Sequence, residues 1–148
     1  MGKEKMTKLE KQWVLYDVGN SAFVMLVPTI IPIYFKNMAT TSGISAANST
    51  AYLSYAISIS TILVALLGPV CGAAADNKGF KKPLFTAFMM IGVIACAAMG
   101  IPKTWLAFLV VFVIAKVGFS GSLIFYDSML VDVTTDERMD EVSSHGYA

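Results

Sequence analysis

Residues 51–75 read AYLSYAISISTILVALLGPVCGAAA, without one charged side chain, and residues 76–82, DNKGFKK, follow directly. A helix needs about 20 mostly apolar residues, each rising 1.5 Å, to cross the hydrocarbon core of a bilayer. The apolar run meets that length, and a charged segment is typical of the point where a helix leaves the membrane. The stretch therefore predicts a transmembrane helix followed by a short polar turn.

The whole chain has the composition of a membrane protein. Its 148 residues are 56% hydrophobic and only 14% charged, which lies outside the range of ordinary soluble domains. The net charge is +1 and the lysines are dispersed, whereas nucleic-acid binding needs a clustered basic surface. We therefore expect the chain to contact a lipid bilayer and no nucleic acid.

Four stretches are long and apolar enough to span a bilayer. The predicted helices cover residues 13–35, 51–75, 84–101 and 105–129, and residues 130–148 form a cytoplasmic loop. Asn48 and Ser49 are N-cap candidates for the second helix, Pro83 suits the first turn of the third, and Pro102 follows its end. The sequence predicts an all-α membrane protein, with residues 1–148 forming part of one domain.

The positions of lysine and arginine predict which side each loop faces, because cationic loops resist translocation. Eight cations lie on one side of the predicted helices and two on the other. The first set is Lys3, Lys5, Lys8, Lys11, Lys78, Lys81, Lys82 and Arg138, and the second is Lys36 and Lys103. Both termini and the 76–83 loop are therefore expected in the cytoplasm. Short loops and the lack of a recognisable targeting peptide favour a bacterial inner membrane.

The sequence shows no pattern typical of an enzyme or a metal site. Cys71 and Cys96 lie in apolar runs, where cysteine behaves as a small hydrophobe, and His145 has no second ligand at metal-binding spacing. Nucleophile motifs and phosphate-binding or dinucleotide-binding glycine loops are missing as well. We therefore expect neither enzyme activity nor a cofactor.

Polar residues inside the predicted helices are the candidate functional residues. A charge near the bilayer centre costs about 2.5–3.5 kcal/mol on the insertion scale, so such side chains normally face a protein interior or a water-filled cavity. The candidates are Asp17, Asn20 and Ser21 in the first helix and Lys116, Ser120 and Asp127 in the fourth. In each helix the spacing places the set on one face. The alternative is that Asp17 and Asp127 are interfacial residues that only snorkel or cap a helix end.

The second helix carries a different face, which consists of small side chains. Its members are Ser54, Ser58, Thr61, Ala65, Gly68 and Gly72. Small residues let helix backbones approach closely. We interpret this small-residue face as a packing surface in preference to a solute-binding surface.

The polar turn after the second helix also resembles a family signature. The residues concerned are Gly72, Asp76, Gly79, Lys81 and Lys82. They resemble the loop between helices two and three of the Major Facilitator Superfamily, G-x-x-x-D-R-x-G-R-R, and the loop position and cytoplasmic side agree. Asn77 and Phe80 depart from that pattern, since the family prefers cations there. Part of the family's usual charge network is therefore expected to be missing.

Two further stretches resemble one branch of that superfamily, which contains the vacuolar amino-acid effluxers of autophagy and their bacterial relatives. They are residues 16–23, YDVGNSAF, and residues 118–127, GFSGSLIFYD, with the segment 137–148 that follows. This branch is sometimes called the Unknown Major Facilitator family. The resemblance implies a secondary transporter whose helices rock to expose a central site alternately to each side. It also adds Tyr126 to Asp17, Asn20 and Asp127 as candidates for the polar pathway.

Transporters of this superfamily have two six-helix halves, whereas this sequence predicts only the first four helices. The resemblance therefore implies an N-terminal fragment, whose partners are a small solute and the remaining helices. One alternative is a small four-helix membrane protein that binds or regulates a membrane partner through the small-residue face. A membrane-embedded enzyme using Asp17, Lys116 and Asp127 is the third and weakest reading, and the sequence does not identify a substrate.

Overall fold

A computed structural model describes residues 8–75 and 79–133 of the chain. Within these ranges it contains four α-helices and no strand. They are α1 (Lys8–Thr41), α2 (Ala46–Ala75), α3 (Lys81–Ala98) and α4 (Trp105–Val133). All four are long and apolar enough to cross a membrane. The prediction of an all-α membrane protein with four transmembrane helices is thereby confirmed.

Two helices extend beyond their predicted ends. α1 runs from Lys8 to Thr41 where residues 13–35 were expected, and α4 continues to Val133, so residues 130–133 are helical and not part of a loop. Apolar length defines the part of a helix that crosses the lipid, whereas backbone hydrogen bonds can continue into the polar flanks. The remainder of the predicted loop, residues 134–148, lies outside the described residues.

The ends of the middle helices also differ from the prediction. α2 begins at Ala46, because Ser45 caps it: its Oγ accepts a hydrogen bond from the backbone N–H of Asn48 at 3.2 Å. The prediction of Asn48 or Ser49 as the cap was therefore wrong. α3 begins at Lys81, with Pro83 in its first turn as predicted, and ends at Ala98, three residues before the expected position 101.

α4 is the central helix of this bundle. It packs most extensively on α3 and α2 and also contacts α1. Phe112 and Ala115 of α4 are fully buried in a core that includes Phe35 of α1 and Ala56 of α2. Large apolar side chains on the outward faces, such as Leu66, are exposed, as expected where lipid covers a helix.

α3 and α4 cross with their backbones in contact. A Cβ atom added to Gly118 would lie 2.6 Å from the backbone nitrogen of Gly92, and one added to Gly121 would overlap the ring of Phe88. Only glycine allows so close an approach, which increases van der Waals contact between membrane helices. This contact was not predicted from the sequence.

The small-residue face of α2 is mostly open. Ser54, Ser58, Thr61 and Ala65 are exposed. Gly68 is half-buried, and a Cβ added there would lie 4.0 Å from Cδ1 of Ile124. Within the described residues the predicted packing role is therefore realised only near the C-terminal end of α2.

Candidate functional site

A hydrogen bond joins α1 to α4 in the half of the bundle that carries Asp17. The hydroxyl of Tyr16 lies 2.7 Å from Oγ of Ser122, and Ser122 Oγ donates to the carbonyl of Phe119 at 2.7 Å. Because a carbonyl can only accept, the single hydroxyl proton of Ser122 is used there, and Tyr16 donates to Ser122. Ser122 is 1% exposed and Tyr16 is half-buried, so this bond is largely shielded by the bundle.

Aromatic rings surround the same hydrogen bond. The Tyr16 ring lies 4.9 Å from that of Phe85 in an edge-on arrangement and 4.8 Å from that of Tyr126. Tyr126, a predicted pathway residue, is 2% exposed, so it belongs to a packed cluster that joins α1, α3 and α4. Tyr16 and Ser122 were not predicted as site residues. Ser122 precedes Tyr126 by one helical turn, and that spacing is the signal that could have identified it.

A groove separates α1 from α3, and we call it the α1–α3 groove. Its first part is a cavity of about 450 Å³ that runs from Leu15 to Leu26 along α1. Gly92 and Cys96 of α3 and Phe119 and Ser122 of α4 also line it. A second cavity of about 190 Å³ shares Leu26 and Cys96 with the first and continues to Tyr34. The two cavities therefore form one mainly apolar groove.

The three α1 candidates occupy different environments. Asp17 is 8% exposed, Asn20 is half-buried and lines the α1–α3 groove, and Ser21 is exposed. Ser21 Oγ donates to the backbone carbonyl of Asp17 at 3.1 Å, so it does not bind the carboxylate. The Asp17 carboxylate has no hydrogen bond or salt bridge to a side chain among residues 8–75 and 79–133. Asp17 is thus a buried acid within an apolar helix.

The three α4 candidates lie away from the groove. Lys116 and Ser120 are half-buried and Asp127 is exposed, and none of them lines either cavity. Asn20 therefore lines the same groove as the Tyr16–Ser122 pair, whereas Lys116, Ser120 and Asp127 do not line it.

The turn after α2 is tied to α4. Gly79 has φ +91°, which favours glycine, as the predicted tight turn requires. Lys81 Nζ donates to the backbone carbonyl of Ser128 at 3.3 Å. Lys82 is exposed and Gly72 is half-buried, while Asp76 lies outside the described residues.

Comparisons with known proteins identify the family of this chain. The family model described as "Vacuole effluxer Atg22 like" matches residues 6–145. The chain is also 46% identical over 147 residues to a protein of Bacillus subtilis (strain 168) named "Uncharacterized MFS-type transporter YxiO". That alignment covers 97% of this chain but 34% of the relative, so the chain spans about a third of the relative's length. No solved structure matches the chain. Because the family model covers nearly every residue, the chain belongs to the vacuole effluxer Atg22-like family of Major Facilitator-type membrane proteins.

Proposed function

We propose that this chain forms part of a secondary transporter that moves a small solute across a membrane by alternating access. The observation that carries the proposal is membership of the vacuole effluxer Atg22-like family, together with 46% identity to a protein named as an MFS-type transporter. In such proteins two bundles rock around a central site. These four helices would supply part of one bundle. Polypeptide corresponding to the additional length of the relative would supply the rest.

The proposed polar pathway runs along α1 and α4. Asp17 is its main member, because a carboxylate that is 8% exposed inside an apolar helix is costly to insert and is usually retained for function. Lys116 and Ser120 are half-buried on the α4 face that ends at the exposed Asp127. Asp17 would exchange a coupling cation or a cationic group of the solute, and Lys116 would balance negative charge in the path.

We propose the inner membrane of a bacterium as the location, with both termini in the cytoplasm. Two observations support this proposal: the eight-to-two distribution of lysine and arginine between the two sides, and the bacterial source of the relative.

An Asp17→Asn substitution in the full-length transporter tests the pathway. Vesicles would be loaded with a mixture of isotope-labelled amino acids, and gradient-driven release would be followed by mass spectrometry. We expect Asp17→Asn to slow release at least about tenfold, equivalent to roughly 1.4 kcal/mol, because it keeps the shape of the side chain but removes its charge. The amount of protein in the membrane should not change.

Asp17→Glu is the matched control, since it keeps the charge and should retain part of the transport rate. Unchanged release kinetics in Asp17→Asn would remove Asp17 from the pathway. If the wild-type protein releases no solute of the mixture, a wider set of small solutes tests transport itself.

A second candidate function is that of a small membrane protein that binds a partner helix through the small-residue face. The exposure of Ser54, Ser58, Thr61 and Ala65 on α2 favours it, because small residues at a membrane surface suit close helix contact. Replacement of Ser58 by leucine in the full-length protein tests this function. Solute transport that continues after the replacement would argue against a partner bound at this face.

A further inference from the structure

We propose that Phe85 of α3 is a positioning residue for Asp17 and that it acts through the ring of Tyr16. Phe85 belongs neither to the turn after α2 nor to the polar faces of α1 and α4. Its importance for transport rests on the proposed function, whereas its effect on the Asp17 carboxyl group does not.

The Tyr16 ring lies in a pocket formed by two other helices. Phe85 of α3 meets this ring edge-on, with the ring centroids 4.9 Å apart, and the ring of Tyr126 of α4 lies 4.8 Å away. Aromatic rings in such arrangements attract each other beyond the effect of their buried area. Ser122 accepts a hydrogen bond from the Tyr16 hydroxyl at 2.7 Å. We call Phe85, Ser122 and Tyr126 the Tyr16 pocket, because they hold the ring and its hydroxyl end together.

The walls of the Tyr16 pocket are fixed relative to each other, because α3 and α4 are joined on both sides of Phe85. Four residues before it, Lys81 Nζ donates to the Ser128 carbonyl at 3.3 Å. Three residues after it, the ring of Phe88 packs on that of Phe125 with the centroids 5.7 Å apart. The pocket is therefore a preformed part of the α3–α4 pair, and α1 places one ring into it.

α1 has little other anchorage at this level. Leu15 and Val18, which flank Tyr16 and Asp17, are 70% and 60% exposed. Among the described residues of α1, Val14 is the other member of the same apolar cluster. Asp17 follows Tyr16 directly, so their Cα atoms are about 3.8 Å apart, and a ring held in the pocket keeps the carboxyl group in its buried position. Loss of one wall would let this turn of α1 move and carry the carboxyl group with it.

Phe85 separates positioning from contact with a solute. It has no polar group and lines neither cavity of the α1–α3 groove. Tyr16 and Ser122 line the larger cavity, so their replacement would change both the pocket and the groove. A substitution of Phe85 therefore alters the support of Asp17 without removing a polar group from the proposed pathway.

Carboxyl labelling of the natural gene product in micelles tests the proposal. A water-soluble carbodiimide with glycinamide converts accessible carboxyl groups to amides, and peptide mass spectrometry gives the rate at Asp17 separately from that at the exposed Asp127. The rate at a buried group follows the local opening that exposes it. Phe85→Leu removes one wall of the pocket. Phe88→Leu is the matched control, because Phe88 is also half-buried in α3 but packs on Phe125.

We expect Phe85→Leu to raise the labelling rate of Asp17 about threefold, as the loss of one aromatic pair implies. Phe88→Leu should leave that rate close to the wild-type value, and the rate at Asp127 should not change in either variant. An equal increase in both variants would indicate a general loosening of α3 against α4 and would overturn the proposal. A wild-type rate in Phe85→Leu would overturn it as well. Phe85→Met, which keeps more of the side-chain volume, replaces the leucine variant if that protein does not accumulate.

The same labelling in a Tyr16→Leu background tests the route through Tyr16. Once that ring is absent, Phe85→Leu should add nothing, so the two substitutions should be strongly non-additive. A further increase of about threefold in this background would refute the route. The two proposals fail separately. Altered labelling in a protein that moves no solute counts only against the proposed function, and transport by a protein whose Asp17 labelling ignores Phe85→Leu refutes only the role of Phe85.

Discussion

Ser122 connects two helices through one hydroxyl group. It donates to Phe119 in its own helix and accepts from Tyr16 in α1, so both its proton and a lone pair are used. Asp17 follows Tyr16 in sequence, and the Tyr16–Ser122 bond therefore restrains the turn of α1 that carries the buried carboxylate. The residue proposed for transport is positioned by a neighbour that has no charge of its own.

A double-mutant cycle tests that restraint. Tyr16→Phe removes the donor and Ser122→Ala the acceptor, and unfolding of each variant in mixed micelles gives the free energies. We expect a coupling energy of about 0.6 kcal/mol, the average for hydrogen bonds between membrane helices. Tyr55→Phe is the control, because Tyr55 is 63% exposed and should change stability little. Strictly additive effects of the two substitutions would mean that the bond contributes nothing.

At the level of elements, each helix could be predicted from the sequence but its neighbours could not. Apolar length is a local property, so α2 was identified from residues 51–75 alone. The Tyr16–Ser122 contact joins residues separated by 106 positions, and no local pattern encodes it. The spacing of small residues was misleading in α2, where most of the small-residue face is open. The close crossing of α3 and α4 occurs instead at Gly92 and Gly118, which resemble ordinary membrane glycines in sequence.

The crossing of α3 and α4 predicts a large difference between two glycine substitutions. Gly118→Ala forces a methyl group to within 2.6 Å of the Gly92 backbone nitrogen, and overpacking of this kind costs about 1–3 kcal/mol. Gly72→Ala meets no atom within 4 Å, and alanine is the better helix former. Denaturant unfolding in micelles should show the loss only for Gly118→Ala. Equal stability of the two variants would contradict the backbone contact.

For the whole molecule, the four described helices leave two surfaces open. The α1–α3 groove is one and the small-residue face of α2 is another. The face could be identified from the sequence, but its exposure and the groove could be recognised only after the helices were placed around α4. The candidate pathway also depends on packing that the sequence does not reveal. Periodicity grouped Asp17, Asn20 and Ser21 on one face, but the packing of neighbouring helices decides which of the three is buried.

Membrane orientation is a property of the whole molecule that cysteine labelling can test. Cys71 and Cys96 would first be replaced by alanine, because both are free thiols. Ser42→Cys, in the turn between α1 and α2, should react with an impermeant maleimide on intact cells. Phe80→Cys, in the turn between α2 and α3, should react only after the cells are permeabilised, because the cationic side remains in the cytoplasm. The reverse pattern would overturn the orientation.

The coding sequence beyond the codon for Ala148 tests most directly whether these helices act as part of a transporter. We predict that the natural reading frame continues through about eight further apolar spans, which would complete two six-helix halves. A stop codon immediately after Ala148 in an expressed gene would contradict this. The remaining candidate would then be a four-helix membrane protein that binds a partner.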